Sequence, residues 1–266
     1  MANTLPPLRS FDRVAHLYDA TRGFPPEAEA AIAAGLRALL PSGAPHLLEV
    51  GIGSGRVAAP LAATGVRITG IDISAKMLAL LRAKAPQVDA LFAESAHLPF
   101  RNASFDAALF VHILHLVPDP VATVRDTLRC VRPGGVLFAC ETKVQPNTIT
   151  PAREHIRAVA AEVTGSALPP RSQHDGRHTG AFQDVLAEHG VTIEDVTLAR
   201  WLSHDSGQLQ LDETLGKVHS HTWGIPDELL PVIVERARPE VERICGSLDR
   251  VYQVESRFRA LIARLP

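Results

Sequence analysis

Apolar positions at the start of the chain recur with helical spacing. Phe11, Val14, Leu17 and Tyr18 share one face, and an Ala-rich stretch from Pro26 to Leu40 repeats the pattern. The breaker Pro41 to Pro45 ends this helical segment. Beyond it the period changes. The run HLLEVG is a short apolar block ending in glycine, as a buried strand does. A helical pattern follows over 56–64, a strand over 66–73 and a helix over 75–85 that stops near Pro86. Strands are then predicted over 88–95 and 105–114, a helix over 119–131, a turn at Arg132-Pro-Gly-Gly135 and a strand over 136–142. Strand and helix alternate throughout, which implies βαβ units and a mainly parallel, doubly wound α/β sheet.

The last 120 residues are less regular. The spacing predicts helices over 151–164 and 180–190, the latter ended by Gly190, with a breaker-rich loop over 168–180 between them. Val191, Ile193, Val196 and Leu198 alternate as a sixth strand over 191–201. Helices follow over 208–220 and 227–246. The stretch 251–264 has period-two character, and a final strand is favoured over a helix.

Composition changes this picture little. The chain has 266 residues, 46% of them hydrophobic, and 27 basic against 29 acidic residues leave a formal charge of −2. That balance argues against a broad nucleic-acid footprint. Cys130, Cys140 and Cys245 are odd in number and lack metal-ligand spacing, so neither a disulfide framework nor a zinc site is expected, and a cytoplasmic setting fits. The N-terminal stretch has no basic region followed by an apolar run, and no run approaches 18 apolar residues, so neither a secretory signal nor a membrane span is expected.

The sharpest chemical signal is Glu49-Val-Gly51-Ile-Gly53-Ser-Gly55, after a buried strand and before a helix. Glycines there allow a tight turn and close approach of a ligand to the backbone. A dinucleotide site needs Gly-x-Gly-x-x-Gly, but the third glycine comes one position early and Arg56 fills its place. Glu49 would suit a ligand with a positive amino group and would repel a pyrophosphate. Asp72 ends the second strand, 17 residues after Gly55, where a carboxylate can accept both hydroxyls of a ribose. Asp72 alone also reads as a cap for the helix over 75–85, a task Ser74 could perform instead.

At these residues the chain resembles the class I S-adenosylmethionine-dependent methyltransferases. It looks most like the small-molecule branch with the ubiquinone/menaquinone-biosynthesis and trans-aconitate methyltransferases. LLEVGIGSGR is similar to the family's first motif and GIDIS to its second. ESAHLPF followed by SFDAALFVHILHLVPDP is similar to the third and fourth, and LRCVRPGGVLF to the last. The resemblance implies a Rossmann-like, seven-stranded methyltransferase fold over residues 1–266 as one domain. It has an N-terminal helical segment (1–45), a cofactor-binding core (46–143), and a remainder (144–266) whose helical lid, about 203–247, is inserted before the last strand.

It also assigns roles, with S-adenosylmethionine as cofactor and S-adenosylhomocysteine as product. Gly51, Gly53 and Gly55 would lie beneath the methionine moiety, with Glu49 near its amino group. Asp72 would hold the ribose, and Ile73 and Met77 would flank the adenine. Glu94 would accept from the adenine amino group, beside Ser95. Val111 and His112 would meet the cofactor from the fourth strand. Tyr18 and Arg22 would close over it from FDRVAHLYDATRG; read without the resemblance, they are a packing aromatic and a surface charge. QLDETLGKVHSHTWGIPDE is similar to a lid-helix region, which makes Trp201, His219, His221, Thr222 and Trp223 candidate substrate contacts; the alternative is ordinary core packing.

His115 follows the fourth strand and reads either as a base or as a residue that shapes the pocket and positions the acceptor. His112 lies three residues away, but no carboxylate or cysteine completes a metal set. A small organic methyl acceptor is the expected partner. The competing classes are an RNA or protein methyltransferase and a non-catalytic cofactor-binding regulator on the same fold.

Overall fold

The protein, seen in a computed structural model, is described at Asp12 and over residues 15–165, 179–219 and 222–266. Phe11, Val14, the loop residues 168–178 and His221 therefore lie outside the described residues. The elements run α1 (Ala15–Arg22), α2 (Pro26–Leu39), β1 (His46–Val50), α3 (Ala58–Ala62), β2 (Arg67–Asp72), α4 (Ala75–Lys84), β3 (Asp89–Phe92) and β4 (Phe105–Val111). They continue as α5 (Pro120–Cys130), β5 (Val131–Val144), α6 (Thr150–Thr164), α7 (Gly180–Glu188), β6 (Ile193–Asp205), α8 (Gly207–Leu215), α9 (Leu229–Cys245) and β7 (Tyr252–Arg264).

The seven strands form one sheet in the order β3-β2-β1-β4-β5-β7-β6. The β1 pairings with β2 and β4, and those of β2 with β3 and β4 with β5, are parallel. β7 is the strand favoured over 251–264. Its end lies beside the start of β5, where Leu265 donates its amide to Gly135 at 2.9 Å and Gly134 donates to Pro266 at 3.0 Å, so it runs against the others. The strand order reverses between β1 and β4, which puts the crevice of a doubly wound sheet at the carboxyl end of β1.

Two readings of local structure are corrected. The stretch Arg132 to Gly135 is not a separate turn but the bulged start of β5. Val131 pairs with Phe105 and pairing resumes at Val136 opposite Ala107, with Gly134 at φ +75° absorbing the extra residues. The helix expected over 208–220 ends at Leu215, because Gly216 breaks it and Lys217 turns left-handed at φ +50°.

The chain groups into two compact units. The first comprises residues 1–143, 175–200 and 257–266. Its core packs Leu48, Val50, Phe110, Leu137 and Ala139 of the strands against Val124 of α5 and Phe182, Val185 and Leu186 of α7. The apolar alternation of β1 puts Leu48 and Val50 in this layer and turns Glu49 to the opposite face. The second comprises residues 144–174 and 201–256. There α6 packs on α9 through Ile156, Val159, Ile233, Val234 and Ala237, and Leu211 of α8 joins them. No helix among the described residues is long and apolar enough to cross a membrane.

Candidate functional site: the crevice at the end of β1

The chain leaves β1 through three left-handed glycines, Gly51, Gly53 and Gly55, at φ +73°, +58° and +76°. The Gly51 and Ile52 amides both donate to the Ile71 carbonyl at 2.9 Å, which ties the loop to β2. The glycines do different work. A Cβ on Gly51 would strike Ile113 Cγ1 at 2.5 Å, and one on Gly55 would strike Leu81 Cδ1 at 2.3 Å, so these two make room for the protein's own side chains. A Cβ on Gly53 would meet nothing nearer than Met77 Cε at 3.5 Å. Gly53 is thus the apex whose bare face is left for something else.

Asp72 lies against that apex. One carboxylate oxygen accepts the Gly53 amide at 2.8 Å and the other accepts the Ser74 amide at 2.8 Å. A carboxylate has about four acceptor sites, so these amide bonds leave it capacity for a further donor. Burial raises the Asp72 pKa, and the amide bonds from Ser74, Gly53 and Ile73 oppose that rise. The cap of α4 is Ser74, whose hydroxyl accepts from the Met77 amide at 3.1 Å. That frees Asp72 from the capping task.

Glu49 is the electrostatic anomaly. It is 2% exposed, and its Oε2 is buried with no hydrogen-bond partner. Burial pushes its pKa up to about 8; Asp72 adds to the rise and Arg56 opposes it. An unpartnered buried carboxylate oxygen is costly, and a donor or cation supplied by a ligand would relieve it.

The remaining candidates fall around this pair. Met77 is buried beneath Gly53, and Ile73 is half-buried between Asp72 and the Ser74 cap. Glu94 is exposed beyond β3, while the Ser95 hydroxyl meets the Thr123 hydroxyl at 3.0 Å. Val111 is buried at the end of β4, and His112 turns left-handed at φ +52°. The His112 Nε2 accepts the Thr142 amide at 3.1 Å. The same Nε2 also lies 3.1 Å from the Thr142 hydroxyl. His112 therefore extends the β4–β5 ladder past the Val111–Cys140 pair. His115 is exposed and lines a small pocket with Ile113, Leu114, Glu141 and Thr179. Glu141 is buried and paired with Arg259 at 3.0 Å and Lys143 at 3.1 Å.

The N-terminal segment reaches the glycine loop. The Ser54 hydroxyl donates to Asp19 at 2.6 Å, and Asp19 also pairs with Lys84 of α4 at 2.6 Å. The Ser74 hydroxyl donates to Asp12. Tyr18 and Arg22 are half-buried in this segment. Asp12, Asp19, Lys84 and Arg56 form the contacts that sequence reasoning missed. Only two carboxylates, Asp12 and Asp19, ahead of a Ser-bearing loop hinted at them.

The second unit holds the other candidates. His219 Nε2 lies 3.0 Å from Glu213, the Thr222 hydroxyl donates to the His219 carbonyl at 2.7 Å, and Trp223 Nε1 donates to the Lys217 carbonyl at 3.0 Å. Trp201 lies in β6.

Residues 48–139 match the family model of a methyltransferase domain. The ubiquinone biosynthesis O-methyltransferase of Xanthomonas oryzae is 28% identical over 179 residues, covering 65% of this chain and 66% of that protein. The chain thus spans just under two thirds of that relative's length. The solved structure of Haemonchus contortus phosphoethanolamine N-methyltransferase 2, in complex with phosphomonomethylethanolamine and S-adenosylhomocysteine, superposes with a TM-score of 0.53 at 16% identity. That match covers 96% of this chain and 58% of the other. The [4+2]-cyclase SpnF superposes with a TM-score of 0.52 at 20% identity, covering 98% of each chain, which shows the fold and not the reaction. Residues 48–139 of this chain are thus similar to a methyltransferase domain, and the seven-stranded sheet that holds them has the Rossmann-like methyltransferase fold.

Proposed function

We propose that the protein is an S-adenosylmethionine-dependent methyltransferase acting on a small organic acceptor. The observation that carries this reading is the buried, unpartnered Oε2 of Glu49 at the crevice where Asp72 and Gly53 meet. An α-ammonium group satisfies that oxygen, and a pyrophosphate would meet a carboxylate instead. The match to a methyltransferase domain and the similarity to a ubiquinone biosynthesis O-methyltransferase support the same reading.

S-adenosylmethionine supplies an activated methyl group on a sulfonium. Glu49 would receive the ammonium, Asp72 would use its remaining acceptor capacity for the ribose, and the bare face of Gly53 would admit the chain between them. Ile73, Met77, Glu94 and Ser95 would border the adenine end, and Val111 with His112 would close the β4 side. A sulfonium leaves as a neutral thioether, so the residues need only hold the acceptor in line at near-attack distance. His115 and the pocket beyond β4 are the acceptor side in this reading. His115, exposed and lining that pocket, is the histidine assigned the role of base or positioner.

Calorimetric titration with S-adenosylmethionine, S-adenosylhomocysteine and NAD tests the reading. Binding of the two sulfur compounds and not of NAD is expected. Binding of NAD alone would overturn it.

A further inference from the structure

Arg56 occupies the position where a dinucleotide fingerprint would carry glycine, and the structure gives it a task. Its guanidinium donates to the Arg22 carbonyl, lies 4.3 Å over the Phe24 ring and lies 6.0 Å from the Tyr18 ring. Phe24 in turn packs edge-on against the buried Phe258 of β7 at 5.4 Å. One side chain on the glycine loop thus grips the end of α1 by three contacts and hands it on to the core. A planar guanidinium suits this because it stacks on rings and donates in a fixed fork, which an ammonium does not. Asp19 ties the same helix down as well, through Ser54 and Lys84.

We propose that Arg56 is a positioning residue of the cofactor site. It docks residues 15–24 on the glycine loop and so makes Tyr18 and Arg22 part of that site. The charge of the same cation also opposes the effect of burial on Glu49. The docking role and the charge role predict different outcomes for a lysine at this position. The inference rests on the cofactor reading above, but the docking is measurable without ligand.

The test is amide hydrogen exchange of the unliganded full chain together with calorimetric affinity for S-adenosylhomocysteine, for wild type, Arg56→Ala, Arg56→Lys and Phe24→Leu. Arg56→Ala should speed exchange over residues 15–22 at least tenfold and weaken binding at least tenfold. Arg56→Lys keeps the charge near Glu49 and loses the stack and fork, so it should restore neither fully. Phe24→Leu removes the ring beneath the guanidinium while leaving Arg56 in place, and should show the same two changes in smaller degree. Weakened binding with wild-type exchange over 15–22, or full rescue of affinity by lysine, would mean that Arg56 acts on Glu49 alone and overturns the proposal. Wild-type values for both quantities in Arg56→Ala and Phe24→Leu would overturn it as well. A wild-type chain that binds no S-adenosylhomocysteine would sink the cofactor reading, and with it the site Arg56 is said to serve. The exchange data would then still decide whether Arg56 docks the helix.

Discussion

One carboxylate oxygen of Asp72 accepts the Gly53 amide at 2.8 Å, so the residue that ends β2 also fixes the apex of the glycine loop. Asp72 therefore has a structural task beside its proposed ribose contact. Asp72→Asn keeps the size but turns an amide NH2 towards at least one backbone donor, and Asp72→Ala removes both acceptors. Leaving a buried donor unsatisfied costs about 1–3 kcal/mol. Both variants should unfold at lower denaturant concentration than wild type and bind S-adenosylhomocysteine at least tenfold more weakly. Unchanged affinity in a folded variant would remove Asp72 from the cofactor site.

Glu49 makes binding depend on pH. Its folded pKa is raised to about 8, above the ordinary carboxyl value near 4.5, with burial as the main cause. Between those values the folded protein holds a proton that the unfolded chain has released. The Glu49 contribution to stability is therefore complete below pH 4.5 and is lost as pH rises towards 8. A cationic ligand reverses the preference, because it favours the ionised form. At pH 7 the binding of S-adenosylhomocysteine should release about one proton, read from titrations in buffers of different ionisation enthalpy. Affinity should rise by up to about tenfold per pH unit below pH 8. Glu49→Gln should bind more weakly and release no proton. Proton release that persists in this variant would place the titrating group elsewhere.

The order of strands and helices was readable from the chain because buried parallel strands are short apolar blocks between breakers. HLLEVG and FDAALFV needed no partner to be recognised, and the last strand showed itself by alternation alone. The bulge at Arg132 to Gly135 was not readable, since a Pro-Gly-Gly sequence looks the same whether it ends a strand or bends one. The cofactor loop was legible from Glu49, its glycines and Asp72, whose spacing is local. What the glycines do was not. Gly51 and Gly55 answer to Ile113 and Leu81, which come from distant elements, and only Gly53 keeps an open face. Arg56 looked like a lost glycine because its partners, Arg22 and Phe24, lie over 30 residues earlier.

His112 combines a left-handed backbone with an imbedded acceptor. A side chain with a Cβ costs about 1–2 kcal/mol in that conformation relative to glycine, and the Thr142 amide is left without its acceptor when the imidazole is removed. The two contributions separate on substitution. His112→Gly loses the acceptor and relieves the backbone, whereas His112→Ala loses the acceptor and keeps the backbone cost. His112→Ala should thus be the less stable of the two by about 1 kcal/mol in chemical denaturation. Equal stability would mean that the strain of the left-handed turn does no more than match the chain entropy that glycine loses on folding.

Asp205 anchors the second unit. It is 4% exposed and its carboxylate pairs with Arg153 of α6, accepts the Ser206 amide at 2.8 Å and accepts Gln210 Nε2 at 2.9 Å. The Arg153 Nε is itself buried with no hydrogen-bond partner, so the guanidinium depends on this carboxylate. Asp205→Ala strands that cation and should cost about 3–5 kcal/mol in chemical denaturation, the usual result of breaking a buried pair. Replacing both partners with apolar residues, as in Arg153→Met with Asp205→Leu, removes the stranded charge. It should recover a large part of the loss. Recovery should stop short of wild type, because the Ser206 amide and the Gln210 side chain still lack the acceptor that Asp205 gave them. If the double variant is no more stable than Asp205→Ala, the pair is not what holds α6 to the start of α8, and the Ser206 and Gln210 bonds carry that contact.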